Sequence, residues 1–171
     1  MSAIEGFSPI ASGNSSIVIL GTMPSETSLR KQEYYGHSRN AFWSIMSMLY
    51  GFNHELDYRG RKEMLMENGV AVWDVLQSCK RLGSLDANIK QSTIVTNDFA
   101  CFFSENKGIN RVFFNGKMAE KVYQNNVLLM LNNRFTHLEY QCLPSTSPAN
   151  ATLNLEQKIL SWKVIKQSVV K

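Results

Sequence analysis

Short apolar runs alternate with longer amphipathic stretches along the chain, and the two patterns have different periods. Ile17–Leu20 is a mainly β-branched apolar run closed by Gly21, the signature of a strand buried on both faces. Val70–Trp73 after Gly69, Arg111–Phe114 before Asn115–Gly116, and Leu138–Leu143 before Pro144 predict three further strands of the same kind. Between them the spacing turns helical. Ala41–Tyr50 carries Phe42, Ile45, Met46 and Leu49 on one face, with Asn40 before it and Gly51 after it as caps. Arg61–Asn68 ends at Gly69, a C-terminal stop signal. Thr96 is placed to cap a short helix bearing Phe99, Phe102 and Phe103, and Lys117–Asn132 has Met118, Val122 and Leu129 at helical spacing. Asn154 with Gln157 three residues later resembles a capping box, opening a last helix that runs to about Val170.

Buried strands alternating with helices predict parallel β-α units, hence an α/β fold: a three-layer α/β/α sandwich around a four-stranded parallel sheet. No repeat, low-complexity tract or linker divides the sequence, so residues 1–171 are expected to form a single domain. In such sheets ligands bind beyond the carboxyl ends of the strands. The stretches there are Gly21–Ser28, Asp74–Lys80, Asn115–Lys117 and Pro144–Ala151, all expected as loops.

Composition narrows the partners. At 171 residues, with 44% hydrophobic and 19% charged residues, the chain has the material for a core and too little charge for a disordered segment. Eighteen Lys+Arg against fourteen Asp+Glu give a formal +4, compatible with a polyanionic partner. Cys79, Cys101 and Cys142 form no CxxC pair, which argues against a disulfide framework and a zinc ribbon. There is no signal-like start and no apolar run long enough for a bilayer, so a soluble, cytoplasmic protein is expected.

Several chemistries are excluded by spacing. Gly116–Lys117 has Arg111 and Met118 where a phosphate-binding P-loop needs Gly and Ser or Thr. No GxGxxG follows the first strand and no GxSxG elbow exists. His37, His54 and His137 show no HExxH spacing, and no metal is expected.

Three segments stand out. Gly21-Thr22-Met23-Pro24-Ser25-Glu26-Thr27-Ser28 can hold a planar ring or an anion against the backbone, or serve as an ordinary strand-to-helix turn. Tyr34-Tyr35-Gly36-His37-Ser38-Arg39-Asn40-Ala41-Phe42-Trp43 concentrates aromatic, basic and amide groups of the kind that stack on nucleobases and touch phosphates. Phe42 and Trp43 also suit the core, and Asn40 suits both a helix cap and a water-orienting amide. Leu143-Pro144-Ser145-Thr146-Ser147-Pro148-Ala149-Asn150 is a stiff, uncharged loop of small residues able to approach a phosphate backbone or wedge into a groove.

With VWDVLQSCKRLGSLD and FFNGK, these blocks resemble the uracil-DNA glycosylase superfamily, in the family's own order and over nearly the whole chain. The nearest branch is the hypoxanthine-DNA glycosylase (deoxyinosine glycosylase) group, related to the mismatch-specific uracil and thymine glycosylases. The resemblance implies a monofunctional enzyme of base excision repair that flips a damaged nucleotide and hydrolyses its N-glycosidic bond, leaving an abasic site, with no cofactor. Damaged DNA is the implied partner, with no membrane and a monomeric state. Many members carry Asp or Asn just before the proline of the first block, where this chain has Met23; the hypoxanthine branch is thought to use the Asn of its HxxN-aromatic block, here Asn40. Asn40 is therefore the candidate that orients the attacking water.

Met23, Pro24, Ser25, Tyr35, His37, Phe42, Asp74 and Asn115 are the candidate base pocket. Tyr34 or Tyr35 and Phe42 are candidates to stack on the base, and Asp74 and Asn115, both at strand exits, to read its edge. His37 can stabilise the leaving base or a phosphate, or be a locally satisfied loop histidine. Ser145, Thr146, Ser147, Pro148 and Ala149 are the candidate DNA wedge and phosphate grip. Lys117 is either a phosphate contact or a solvated helix lysine. Two other functions fit the same residues: a uracil- or mismatch-specific glycosylase, and a non-catalytic α/β module that binds nucleic acid.

Overall fold

In chain order the strands are β1 (Ile4–Glu5), β2 (Ile17–Gly21), β3 (Val70–Asp74), β4 (Leu76–Cys79), β5 (Val95–Thr96), β6 (Arg111–Asn115) and β7 (Glu139–Leu143). The structure, a computed structural model, describes residues 3–53 and 55–168; His54 and the end of the last expected helix at Val170 lie outside the described residues. The helices are α1 (Glu26–Lys31), α2 (Phe42–Tyr50), α3 (Tyr58–Glu67), α4 (Phe99–Glu105), α5 (Lys117–Tyr123), α6 (Leu155–Trp162) and α7 (Val164–Ser168).

Four strands form a parallel sheet in the order β3-β2-β6-β7. The register sets Leu20 beside Trp73 and Phe114, and brings Gly21 beside Asp74 and Asn115 beside Leu143. Because side chains alternate along a strand, Trp73, Leu20 and Phe114 share one face. α4 and α5 cover it: Trp73 meets Phe102 at 4.8 Å and Phe114 meets Tyr123 at 5.2 Å between ring centroids. α2, α3 and α6 make the other layer, joined edge-to-face by Phe42 on Trp162 and Trp43 on Tyr58. The result is the expected three-layer α/β/α sandwich.

The departures from the sequence reading have local causes. β2 and β3 are buried throughout, but β7 exposes Glu139, Tyr140 and Gln141, because it lies at the sheet edge. The cap of α4 is Asp98, whose carboxylate accepts from the Cys101 amide at 2.9 Å; Thr96 is in β5 instead. The helix expected over Lys117–Asn132 is α-helical only to Tyr123 and then widens into a π turn over Gln124–Leu128. The Asn126 side chain donates to the Val122 carbonyl at 2.8 Å, taking the acceptor that its own amide would use in an α-helix. α3 begins earlier than expected, at Tyr58, where Asp57 accepts from Gly60.

A small antiparallel sheet, β1-β4-β5, is absent from the pattern reading, and β4 occupies much of the stretch expected as the Asp74–Lys80 loop. The expected capping box at Asn154 and Gln157 is present, and Gly51 closes α2 in the left-handed region at φ 74°. No helix among the described residues is long and apolar enough to cross a membrane.

Candidate active site

A cavity of about 390 Å³ opens where β2, β3, β6 and β7 end, the place the parallel-sheet rule selects. The first wall is Gly21 to Ser25. Pro24 ends the strand exit, and Ser25 caps α1 by accepting from the Ser28 amide at 3.2 Å. Ser28 in turn accepts from the Gly36 amide at 3.1 Å, so this turn is tied to the aromatic segment that follows. Met23 lines the cavity and is otherwise buried.

Tyr35 supplies the second wall. It sits in the left-handed region at φ 55°, followed by Gly36, and its ring stacks on Phe42 at 3.9 Å between centroids. Phe42 is fully buried, so its sequence assignment to the base pocket is corrected: as the first residue of α2 it points into the core and backs Tyr35. Tyr34 also borders the cavity, but its hydroxyl donates outward to the carbonyls of Phe7 and Ser8.

Asn40 lies in the cavity lining just ahead of α2, whose N-cap is Ala41 rather than the expected Asn40, because the helix starts one residue later, at Phe42. Its Oδ1 accepts from the Phe42 amide at 3.0 Å, which leaves a second lone pair for another donor. The neighbouring Ala41 amide donates to the Thr146 carbonyl at 3.0 Å, joining the start of α2 to the last loop. His37 does not line the cavity; its Nδ1 accepts from the Arg39 amide at 3.1 Å, the locally satisfied arrangement.

Asn115 holds the last loop. Its Nδ2 donates to Thr146 Oγ1 and its Oδ1 accepts from the Thr146 amide, both at 2.8 Å. Both ends of the amide are thus engaged by Thr146, itself only 1% exposed. This corrects Thr146 from a DNA contact to a strut, and makes Asn115 a brace of the cavity wall. Gly116 is required beside it: φ is 99°, and a Cβ there would lie 2.9 Å from the Ser145 Cβ. Ser145 and Ser147 fold the loop by accepting from the Ser147 and Ala149 amides. The buried Lys158 ammonium grips the Asn150 carbonyl at 2.9 Å, and Trp162 donates to the Pro144 carbonyl at 3.0 Å. Pro148 and Ala149 are exposed at the tip, with Ala149 on the cavity side. Lys117 is exposed at the start of α5, outside the cavity lining.

Asn115→Ala leaves the Thr146 amide and hydroxyl without their partner in a buried place. It is expected to destabilise the fold by about 2 kcal/mol. Chemical denaturation measures this directly, and a change within ~0.5 kcal/mol, the range of ordinary surface substitutions, would contradict the strut.

Asp74, at the end of β3, is 4% exposed and its Oδ2 has no hydrogen-bond partner. Gly21 makes room for it, since a Cβ there would collide with Asp74 Oδ1. Burial, reinforced by the nearby Asp86 carboxylate and opposed by Arg81, pushes the Asp74 carboxyl up to about 8.

Sequence reasoning passed over Arg81 and Asp86, though both lie in the quoted VWDVLQSCKRLGSLD block. The Arg81 side chain is fully buried; it meets Asp86 at 3.3 Å and donates to the carbonyls of Gly83 and Pro24. The pair locks the loop after β4 onto the turn after β2, and places Ser84, Leu85 and Asp86 on the cavity wall. Its signal was weak, two opposite charges five residues apart in a block that also carries Asp74 and Lys80. Among the described residues no group of three His, Cys, Asp or Glu side chains converges as a metal site.

The strand-end cavity of this three-layer α/β domain is lined by amides, hydroxyls, carboxyls and Tyr35, groups that can hydrogen-bond and stack on a small polar ligand. The uracil DNA glycosylase superfamily model matches residues 8–166, and the chain belongs to that superfamily. It is 34% identical over 162 residues to a hypoxanthine DNA glycosylase of Methanosarcina acetivorans, covering 94% of this chain and 96% of that one. It is 37% identical over 116 residues to the enzyme of the same name from Methanosarcina barkeri, covering 67% and 72%. Its fold superposes with a TM-score of 0.81, at 30% identity over 98% of this chain and 99% of the other, on the solution NMR structure of a candidate uracil DNA glycosylase from Methanosarcina acetivorans.

Proposed function

We propose that this chain is a monofunctional DNA glycosylase that excises hypoxanthine from deoxyinosine in base excision repair, with residues 1–171 acting as one glycosylase domain, monomeric and cytoplasmic. The observation that carries the reading is the position of Asn40, an amide in the lining of a base-sized cavity. The relatives named as hypoxanthine DNA glycosylases support the choice of base.

A base stacked in a duplex is out of reach of any cavity, so the nucleotide is turned out first, at a cost of a few kcal/mol that is lower for a poorly paired deaminated base. The exposed Pro148–Ala149 tip wedges into the gap, and Ser145 and Ser147, with the amides of their loop, sit where they can grip the flanking phosphates. Lys117 stands at a nearby strand exit as a further phosphate contact. The purine stacks on Tyr35, which Phe42 holds flat from behind. Heterolysis of the C1′–N9 bond leaves positive charge on the sugar and negative charge on the base. Asn40 Oδ1, with one lone pair on the Phe42 amide, uses the other to hold a water toward C1′. An amide is a poor base, but so electrophilic a centre needs a positioned water more than a deprotonated one.

The test is incubation of the purified protein with duplexes holding deoxyinosine, deoxyuridine or deoxyxanthosine opposite each base. Alkali-sensitive abasic sites are expected to form fastest at deoxyinosine. Sites chiefly at deoxyuridine would assign the chain to uracil, and binding without cleavage would make it a non-catalytic module.

A further inference from the structure

Asp74 is the one cavity carboxyl that no partner within the protein accounts for. It lines the cavity beside Tyr35, whose hydroxyl also lacks a partner; both groups border the space that the missing Cβ of Gly21 leaves. The natural counter-ion for a buried aspartate here is Arg81, but its hydrogen bonds go elsewhere: Nε to the Gly83 carbonyl, one terminal nitrogen to Asp86, the other to the Pro24 carbonyl. The remaining charged or titratable groups that act on this carboxyl are Asp86, on the loop after β4, and the hydroxyls of Tyr34, Tyr35 and Tyr58. None of these is a cation. An ionised carboxylate in this position would be desolvated, would face a second carboxylate, and would hold one oxygen without a donor.

We propose that Asp74 is the acid of the reaction, donating a hydrogen bond and then a proton to the departing base. This rests on the glycosylase reading above and assigns the leaving-group half of its chemistry. As the C1′–N9 bond breaks, its electron pair goes to the purine and the Asp74 proton passes to a purine acceptor, so the base leaves neutral. The water oxygen bonds to C1′, its released proton goes to solvent, and Asp74 regains a proton from solvent. Burial, which pushes this carboxyl up to about 8, keeps it protonated at neutral pH. Asn40 and Asp74 then divide the work between the two products, one serving the sugar and the other the base.

The experiment is single-turnover cleavage of a deoxyinosine duplex from pH 5.5 to 10 by the wild type and by Asp74→Asn, which keeps a donor of the same shape but has no proton to lose. In the wild type the rate is expected to fall roughly tenfold per pH unit once Asp74 ionises. Asp74→Asn is expected to be slower at pH 7 and to lack that limb, apart from any fall due to the substrate's own ring N–H. A rate that rises with pH through the same range would make Asp74 an ionised acceptor and overturn the proposal, as would two superimposable profiles.

Thermal stability gives a second readout that needs no turnover. The folded protein binds the Asp74 proton more tightly than the unfolded chain, so this group's contribution is complete below the unfolded value near 4. It is lost as pH rises toward 8. The melting temperature of Asp74→Asn relative to wild type is therefore expected to climb from pH 4 to pH 8, and a constant difference would overturn the protonated state. A wild type that leaves deoxyinosine intact but shows this stability trend would sink the glycosylase reading and the acid role built on it, while upholding the protonated carboxyl. Cleavage without the trend would sink the acid role alone.

Discussion

Asn40→Ala is expected to lower single-turnover cleavage of a deoxyinosine duplex roughly 10³-fold, the size of effect seen when one precisely placed polar group is removed from a reacting centre. The same substitution removes the acceptor for the Phe42 amide at the start of α2, at a cost of about 1 kcal/mol of stability. Those two consequences separate in Asn40→Ser, whose shorter hydroxyl can still accept from the helix amide but cannot extend as far into the cavity. Asn40→Ser is expected to recover most of the melting temperature and little of the rate. If both variants cleaved like the wild type, the side chain would serve only to hold the Phe42 amide at the start of α2.

Arg81→Met carries the largest expected effect on the fold. It strands the Asp86 carboxylate and the carbonyls of Gly83 and Pro24. Removing one partner of a fully buried pair costs about 3–5 kcal/mol, and the Asp86 side chain, 32% exposed, recovers some hydration, so about 2–3 kcal/mol is expected. For a chain of this length that corresponds to a fall of roughly 5–10 °C in melting temperature. Because Arg81 ties together the two loops that frame the cavity, cleavage is expected to drop at temperatures where the variant is still folded. Arg81→Lys retains the charge but not the planar fork of donors, and is expected to recover only part of either loss.

The three buried strands of the parallel sheet were legible because burial on both faces leaves a dense apolar run, as at Ile17–Leu20 and Val70–Trp73, whereas the exposed edge strand β7 was marked by its stop at Pro144. The small antiparallel sheet was not, since β1 and β5 are two residues each and too short to show alternation. The same limit applied to the π turn after Tyr123, which follows from one asparagine side chain choosing a backbone acceptor. At the site, strand-exit topology found the right loops. It could not tell which side chains in them face a ligand. Phe42 and Trp43 share one aromatic and polar segment with Tyr35, and the packing turns both into the core and leaves Tyr35 on the cavity wall. Thr146 and Asn115 read as free polar groups until their mutual bonds are seen. Arg81 was missed for the opposite reason: a charged residue five positions from Asp86 reads as solvated surface, and only the fold closes it in.

The most direct test is the structure of the protein bound to a duplex containing 2′-fluoro-2′-deoxyinosine, whose glycosidic bond resists cleavage. The account requires the purine inside the cavity with its face on Tyr35, and a water about 3 Å from Asn40 Oδ1 on the side of C1′ opposite the base. A purine bound elsewhere, or an Asn40 side chain with no water between it and the sugar, would contradict it.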